Sequence, residues 1–255
     1  MEVIDLTRGV ILGLIQGLLE WLPISSSGNV FLILAFLGIP AEEAYRYSLF
    51  LHLGTVLSAL ILLWGLFKEK DIVRFTLTGL VVSIAVGGPL YLYFEVFVSS
   101  TSLLWIAVVL GFLLIFTGLV ERKTWSKNLN VRATRQLSIG DAFIVGVFQG
   151  LSVLPGLSRS GLTVAALLWR GFKLQDSFKL SFVSGIPFII VGEMGLVFFE
   201  GSTLFTLEIL VGLVVAMVAG LLSLKTLLGV VSEKPFWIVC VTLGIISLLS
   251  APLLL

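Results

Sequence analysis

Arg159 stands in the run Pro155-Gly-Leu-Ser-Arg-Ser-Gly161, inside an otherwise apolar region. An arginine between apolar helices costs about 3 kcal/mol or more and usually has a function. Its guanidinium forks onto two oxygens of a phosphate or carboxylate. With Ser158, Ser160 and the N–H groups of a Gly-rich turn opening a helix at Leu162, it can cradle a phosphate; it can equally pair with Glu20 and lock two loops together. Glu20 follows Gln16 by one helical turn, so the two share a face and can offer oxygens to one hard cation, unless Glu20 rests at a headgroup interface. Ser25, Ser26 and Ser27 are nucleophiles, phosphate ligands or helix caps. His52 and Glu193 fall inside apolar spans. Hydrogen bonding to a neighbouring helix and facing a cavity are both open to His52, and protonation and lining a cavity to Glu193.

The elements that must position these groups lie in a bilayer. Charged residues make up 12% of the 255 and hydrophobic ones 58%, a balance that water cannot solvate. Several stretches, such as 49–67, 103–120 and 235–255, approach the roughly 20 residues needed to cross about 30 Å of hydrocarbon. No alternation of membrane strands is present, so the spans are helices. The net charge of +1 gives no sign of nucleic-acid binding, and the single cysteine, Cys240, excludes an internal disulfide. The first apolar run lacks a cleavable signal pattern.

Shifting the sequence by 133 positions aligns Gln16-Gly17-Leu18 with Gln149-Gly150-Leu151, and Ser25-Ser26-Ser27-Gly28 with Ser158-Arg159-Ser160-Gly161. Gly13 falls on Gly146, and Ser48 on Ser181. The fold expected is a single membrane domain, all-α and polytopic, built from an inverted-topology repeat. Residues 1–120 and 134–255 form the halves, each with a re-entrant helix-loop-helix (about 8–38 and 141–171) and three spans: 47–67, 75–97 and 103–120, then 179–199, 206–227 and 237–254. Three crossings per half reverse the second half. The face holding the 121–140 loop collects 13 of the 16 basic residues, which makes it cytoplasmic and puts both termini outside. Helix-breaking Pro and Gly in 20–29 and 155–161 are tolerated at membrane depth only where protein or a wet cavity receives the backbone, so the two loops are expected to meet.

Two motifs resemble those of the undecaprenyl pyrophosphate phosphatases, also called the bacitracin-resistance proteins. One is (E/Q)xxxE inside G-L-x-E-[FW]-L-P-[VI]-S-S-[TS]-G, at Gln16 to Gly28; the other is PGxSRSxxT, matched in full at Pro155 to Thr163. The resemblance covers nearly the whole chain. It implies hydrolysis of a polyprenyl pyrophosphate to the monophosphate lipid carrier of cell-envelope glycan synthesis, in the plasma membrane at a site open to the outer face, with Mg2+ or Ca2+. It further implies catalytic Glu20, Ser26 and Arg159; substrate contacts from Gln16, Ser25, Ser27, Asn29, Ser158, Ser160, Gly161 and Thr163; and cation ligands Gln16 and Glu20. Many members carry histidine directly after the S-S-[TS]-G tetrad, where this chain has Asn29. An amide cannot take a proton near neutral pH. Either the histidine is replaceable, with Ser26 or a metal-bound water attacking, or the reaction is lost or changed; nothing in the sequence places His52 at the site. The rival reading is a transporter or flippase of a lipid phosphate, since broken helices in inverted repeats also build transporters. Oligomeric state is open, a homodimer included. In a Cys240→Ala background, cysteine labelling from outside should reach Ser202→Cys and miss Ser126→Cys; the reverse pattern refutes the inverted arrangement.

Overall fold

The computed structural model describes residues 6–22, 24–125, 137–154, 156–200, 206–230 and 236–254. Pro23 and Pro155, and the side chain of Ser27, lie outside the described residues. Among those described, all regular structure is helical: α1 (Leu6–Leu19), α2 (Ser26–Phe36), α3 (Ala41–Phe50), α4 (His52–Leu63), α5 (Lys70–Ser100), α6 (Leu103–Trp125), α7 (Ile139–Leu151), α8 (Arg159–Trp169), α9 (Leu174–Glu200), α10 (Leu207–Val230) and α11 (Phe236–Ser250). Five stretches are long and apolar enough to cross a membrane: Tyr47–Lys68, Lys70–Phe94, Leu104–Thr124, Leu174–Gly195 and Leu207–Gly229. This is the architecture of a multi-pass membrane protein. The expected last span is the 15-residue α11 followed by a 3-10 turn over Ala251–Leu254, which together rise about 30 Å.

Local chemistry sets the helix ends. Ser138 caps α7 in a capping box with Asp141, whose carboxylate accepts from the Ser138 N–H at 2.9 Å. Arg170 Nε then donates to Asp141 at 2.6 Å, tying the start of α7 to the end of α8. Gly38 (φ 83°) and Gly171 (φ 88°) follow α2 and α8 in the left-handed region, where glycine carries no Cβ penalty. They too are 133 positions apart. The expected span over 47–67 is found as Tyr47–Lys68, with a single turn residue, Leu51, kept in the right-handed helical region between α3 and α4.

Small residues decide which helices touch. α1 packs on α10, with Gly9, Gly13 and Gly17 against the backbone of Glu208, Gly212 and Ala216. α7 packs on α5 in the same manner, with Gly146 against Gly79 and Gly150 against Ser83. Gly79, Ser83 and Gly87 precede Gly212, Ala216 and Gly220 by 133 positions, so the two seams use small residues at matching spacing. Gly111 of α6 meets its own counterpart, Gly244 of α11. In lipid there is no hydrophobic force between helices, so close backbone approach supplies the attraction. Hydroxyls add bonds across the seams: Ser223 Oγ donates to Gly17 O at 2.7 Å and Ser58 Oγ to Met217 O at 2.6 Å.

Gly13→Leu or Gly146→Leu should each wedge a seam apart, costing at least the 1–3 kcal/mol of an overpacked site and abolishing the monodisperse peak in size-exclusion chromatography. Gly229→Ala, with nothing within 4 Å of the added Cβ, should elute as wild type.

Candidate active site

The loop between α1 and α2 is held by Trp21. Its indole N–H donates to Gly220 O on α10 at 2.8 Å, and its ring meets the Phe182 ring of α9 edge-on, with centroids 5.2 Å apart. Ser25 adopts φ 57°, an uncommon angle for a non-glycine residue. The Asn29 amide braces that turn, donating to Ile24 O at 3.0 Å and Ser25 O at 2.9 Å. So turned, Ser25 Oγ accepts from the Gly156 N–H at 3.1 Å, and Ser160 Oγ donates to Leu22 O at 3.1 Å. The two interrupted segments therefore meet. Gly28 is the close-approach point, since a Cβ there would lie 3.0 Å from the Gly156 nitrogen.

Glu20, 5% exposed, is the hub. Its Oε2 accepts from Gln16 Nε2 at 2.8 Å and Ser26 Oγ at 2.7 Å and faces His52 Nε2 at 3.1 Å. Its Oε1 accepts from Arg159 Nη2. The other His52 nitrogen, Nδ1, lies 2.7 Å from Leu49 O, which fixes the ring plane. Arg159 Nη1 is buried without a hydrogen-bond partner. It occupies the space beside Gly185, where a Cβ would overlap it. Position 185 lies 133 residues after His52: one position supplies an imidazole, and the other a void that admits a guanidinium.

These groups open on a cavity of about 370 Å³. Glu20, Ser26, His52, Arg159 and Glu193 stand at its polar side, while Ile84, Gly88 and Tyr91 of α5 and Phe188, Val191 and Gly192 of α9 form an apolar wall. A hydroxyl bonded to a carboxylate, an imidazole on the same carboxylate and a half-used guanidinium are groups that can serve as a nucleophile, its base and an anion clamp.

A family model described as "Bacitracin resistance protein BacA" matches residues 9–246. The chain belongs to the bacitracin resistance protein BacA family. It is 35% identical to an undecaprenyl-diphosphatase of Methanococcoides burtonii, over 97% of this chain and 99% of the relative. It is 34% identical to proteins of the same name from Haloarcula marismortui, over 92% and 93%, and from Pyrobaculum aerophilum, over 96% of each.

Of the residues singled out in this BacA-family sequence, Glu20, Ser25, Ser26, Ser158, Arg159 and Ser160 line the cavity. Ser158 is also the N-cap of α8, which begins at Arg159 rather than Leu162, and its Oγ accepts from the Gly161 N–H at 3.1 Å. Gln16, Asn29, Gly161 and Thr163 stand behind the cavity. Gln16 supports Glu20, Asn29 the turn, and Gly161 packs against Glu121; Thr163 Oγ1 lies 2.6 Å from Ser181 Oγ. His52 and Glu193 join the site although no spacing announced them; the only signal was a polar residue at mid-span. Among the described residues no group of three or more His, Cys, Asp or Glu is arranged to hold a metal.

Gly185→Ala should lower the melting temperature, because the added Cβ overlaps the guanidinium that holds the buried Glu20 charge, and lose at least tenfold in kcat/KM as Arg159 is displaced. Unchanged turnover on a pyrophosphate substrate would show that the guanidinium position does not matter.

Proposed function

We propose that this chain is a polyprenyl pyrophosphate phosphatase, releasing the terminal phosphate of an undecaprenyl-type lipid pyrophosphate with Ser26 as nucleophile. The observation that carries the reading is the Ser26 hydroxyl on the Glu20 carboxylate, in one cavity with an arginine that keeps an unpartnered nitrogen. The relatives named undecaprenyl-diphosphatase support the substrate class. The pyrophosphate occupies the polar side, with Arg159 Nη1 as its first donor. The tail leaves between α5 and α9, where Ile84 and Val191 are both cavity-lining and exposed on the helix surface.

In the reaction Ser26 Oγ bonds to the terminal phosphorus as its proton passes to Glu20, and the bridging P–O bond breaks. His52 Nε2, beside the same carboxylate, gives a proton to the departing lipid monophosphate. Water then attacks the phosphoserine. Its proton goes to His52, and Glu20 returns one to Ser26. His52 thus fills the part that the family gives to the histidine at position 29, leaving Asn29 to brace the turn.

The halves are read as an inverted repeat, each with a re-entrant α1–α2 or α7–α8 pair and three spans. Support comes from the exchange of seams, α1 on α10 and α7 on α5, and from the meeting of Gly111 with Gly244. The basic-residue bias makes the 121–140 loop cytoplasmic, so that the site opens outward at the plasma membrane. The divalent cation implied by the family supplies charge neutralisation on the phosphates when bound. Of the pair Gln16 and Glu20, both Glu20 oxygens are held by donors including Arg159, while Gln16 Oε1 is buried without a hydrogen-bond partner and is the oxygen left to meet it.

Purified protein in detergent with farnesyl or longer polyprenyl pyrophosphate and Mg2+ should release inorganic phosphate. Ser26→Ala should slow release by roughly 10² or more. Arg159→Lys should lose most activity, since a point charge cannot fork across Glu20 and a phosphate. Tight binding without release by wild type would establish a lipid-phosphate carrier, and equal release by Ser26→Ala would move the attacking group elsewhere.

A further inference from the structure

Glu193 is a buried carboxylate that the proposed reaction does not use. It sits on α9, is 5% exposed and lines the same cavity as Ser26 and Arg159. Its Oε2 has no hydrogen-bond partner. On its own helix the neighbouring Gly192 and Gly195 leave open space, since a Cβ on either meets nothing within 4 Å. The charged and titratable groups around it are His52 at the start of α4, Glu20 from the loop after α1, Arg159 at the start of α8 and Tyr91 across the cavity on α5. Both Arg159 and His52 are turned onto Glu20, so neither gives Glu193 a hydrogen-bonded counter-charge.

A pyrophosphate drawn into this cavity brings several negative charges into a medium of low dielectric, where they interact strongly. A small hard cation offsets them and gives the unpartnered Glu193 oxygen a partner. Mg2+ commonly takes one or two carboxylates, fills its shell with substrate phosphate oxygens and water, and does not need a cage of protein ligands. That fits a site where no three acidic, histidine or cysteine side chains converge among the described residues.

We propose that Glu193 is a protein ligand of a divalent cation that enters on the substrate pyrophosphate. This rests on the pyrophosphate reading of the cavity. The two acids then have separate roles. Glu20, saturated with donors, handles the serine proton, and Glu193, with an oxygen to spare, meets the metal.

The experiment pairs Glu193→Gln with Glu20→Gln. Mn2+ binding is followed by electron paramagnetic resonance in detergent, in the presence of a methylene-bridged, non-hydrolysable farnesyl diphosphonate. Phosphate release from farnesyl pyrophosphate is titrated with Mg2+ in parallel. Glu193→Gln should weaken Mn2+ binding to the protein–analogue complex by tenfold or more and raise the Mg2+ needed for half-maximal release by a similar factor, with most of the rate recovered at high Mg2+. Glu20→Gln should lower the rate at every Mg2+ concentration and leave that midpoint in place. A Glu193→Gln protein that binds Mn2+ as wild type does, or a midpoint moved by Glu20→Gln alone, overturns the assignment. The binding measurement needs no turnover. A wild type that captures Mn2+ through Glu193 but releases no phosphate would therefore sink the phosphatase reading and leave this inference standing.

Discussion

The structure depends on how a carboxylate is kept ionised and satisfied in the middle of an apolar bundle. Glu20 is shielded from water, and an isolated charge there would be untenable. Its four donors come from separate elements: Gln16 from α1, Ser26 from α2, His52 from α4 and Arg159 from α8. One charge thus gathers four pieces of chain, including parts of both halves. Removing a partner from such a set leaves an uncompensated buried charge, which costs about 3–5 kcal/mol. The same bonds that hold the loops together also place the serine and the arginine at the cavity, with one guanidinium nitrogen bonded to Glu20 and the other left without a partner.

Around this polar centre the glycine seams set the mechanical frame. Each lets two backbones touch, and each joins a broken helix of one half to a full span of the other. The loops at the ends of α1 and α7 are thereby delivered to a common point. The duplicated frame carries unlike contents. Ser26 and Arg159 are counterparts at an offset of 133, as are His52 and Gly185. The glycines recur at this offset while the polar residues between them differ.

Repetition, membrane embedding, the broken segments and the chemical identity of Ser26, Glu20 and Arg159 were all legible in the sequence, because each is written in local composition or in spacing. The seams were equally present, with Gly79, Ser83 and Gly87 repeating as Gly212, Ala216 and Gly220, but small residues in apolar helices carry no label of the helix they will touch.

What only the tertiary structure decided is which polar residues share the cavity. His52 reads as a lone mid-span histidine, and only the packing of α4 beside the first loop brings it to Glu20. Glu193 lies 173 positions from Glu20 in the chain, and only the packing of α9 beside the loops brings it to the same cavity. Asn29, Thr163 and Gln16 belong to the motifs yet stand behind the working surface. A motif fixes residue types along the backbone. Which face they present depends on the rotation of each helix against partners far away in sequence, and in a bilayer that rotation is set by close packing between helices rather than by an apolar stripe that the sequence could display.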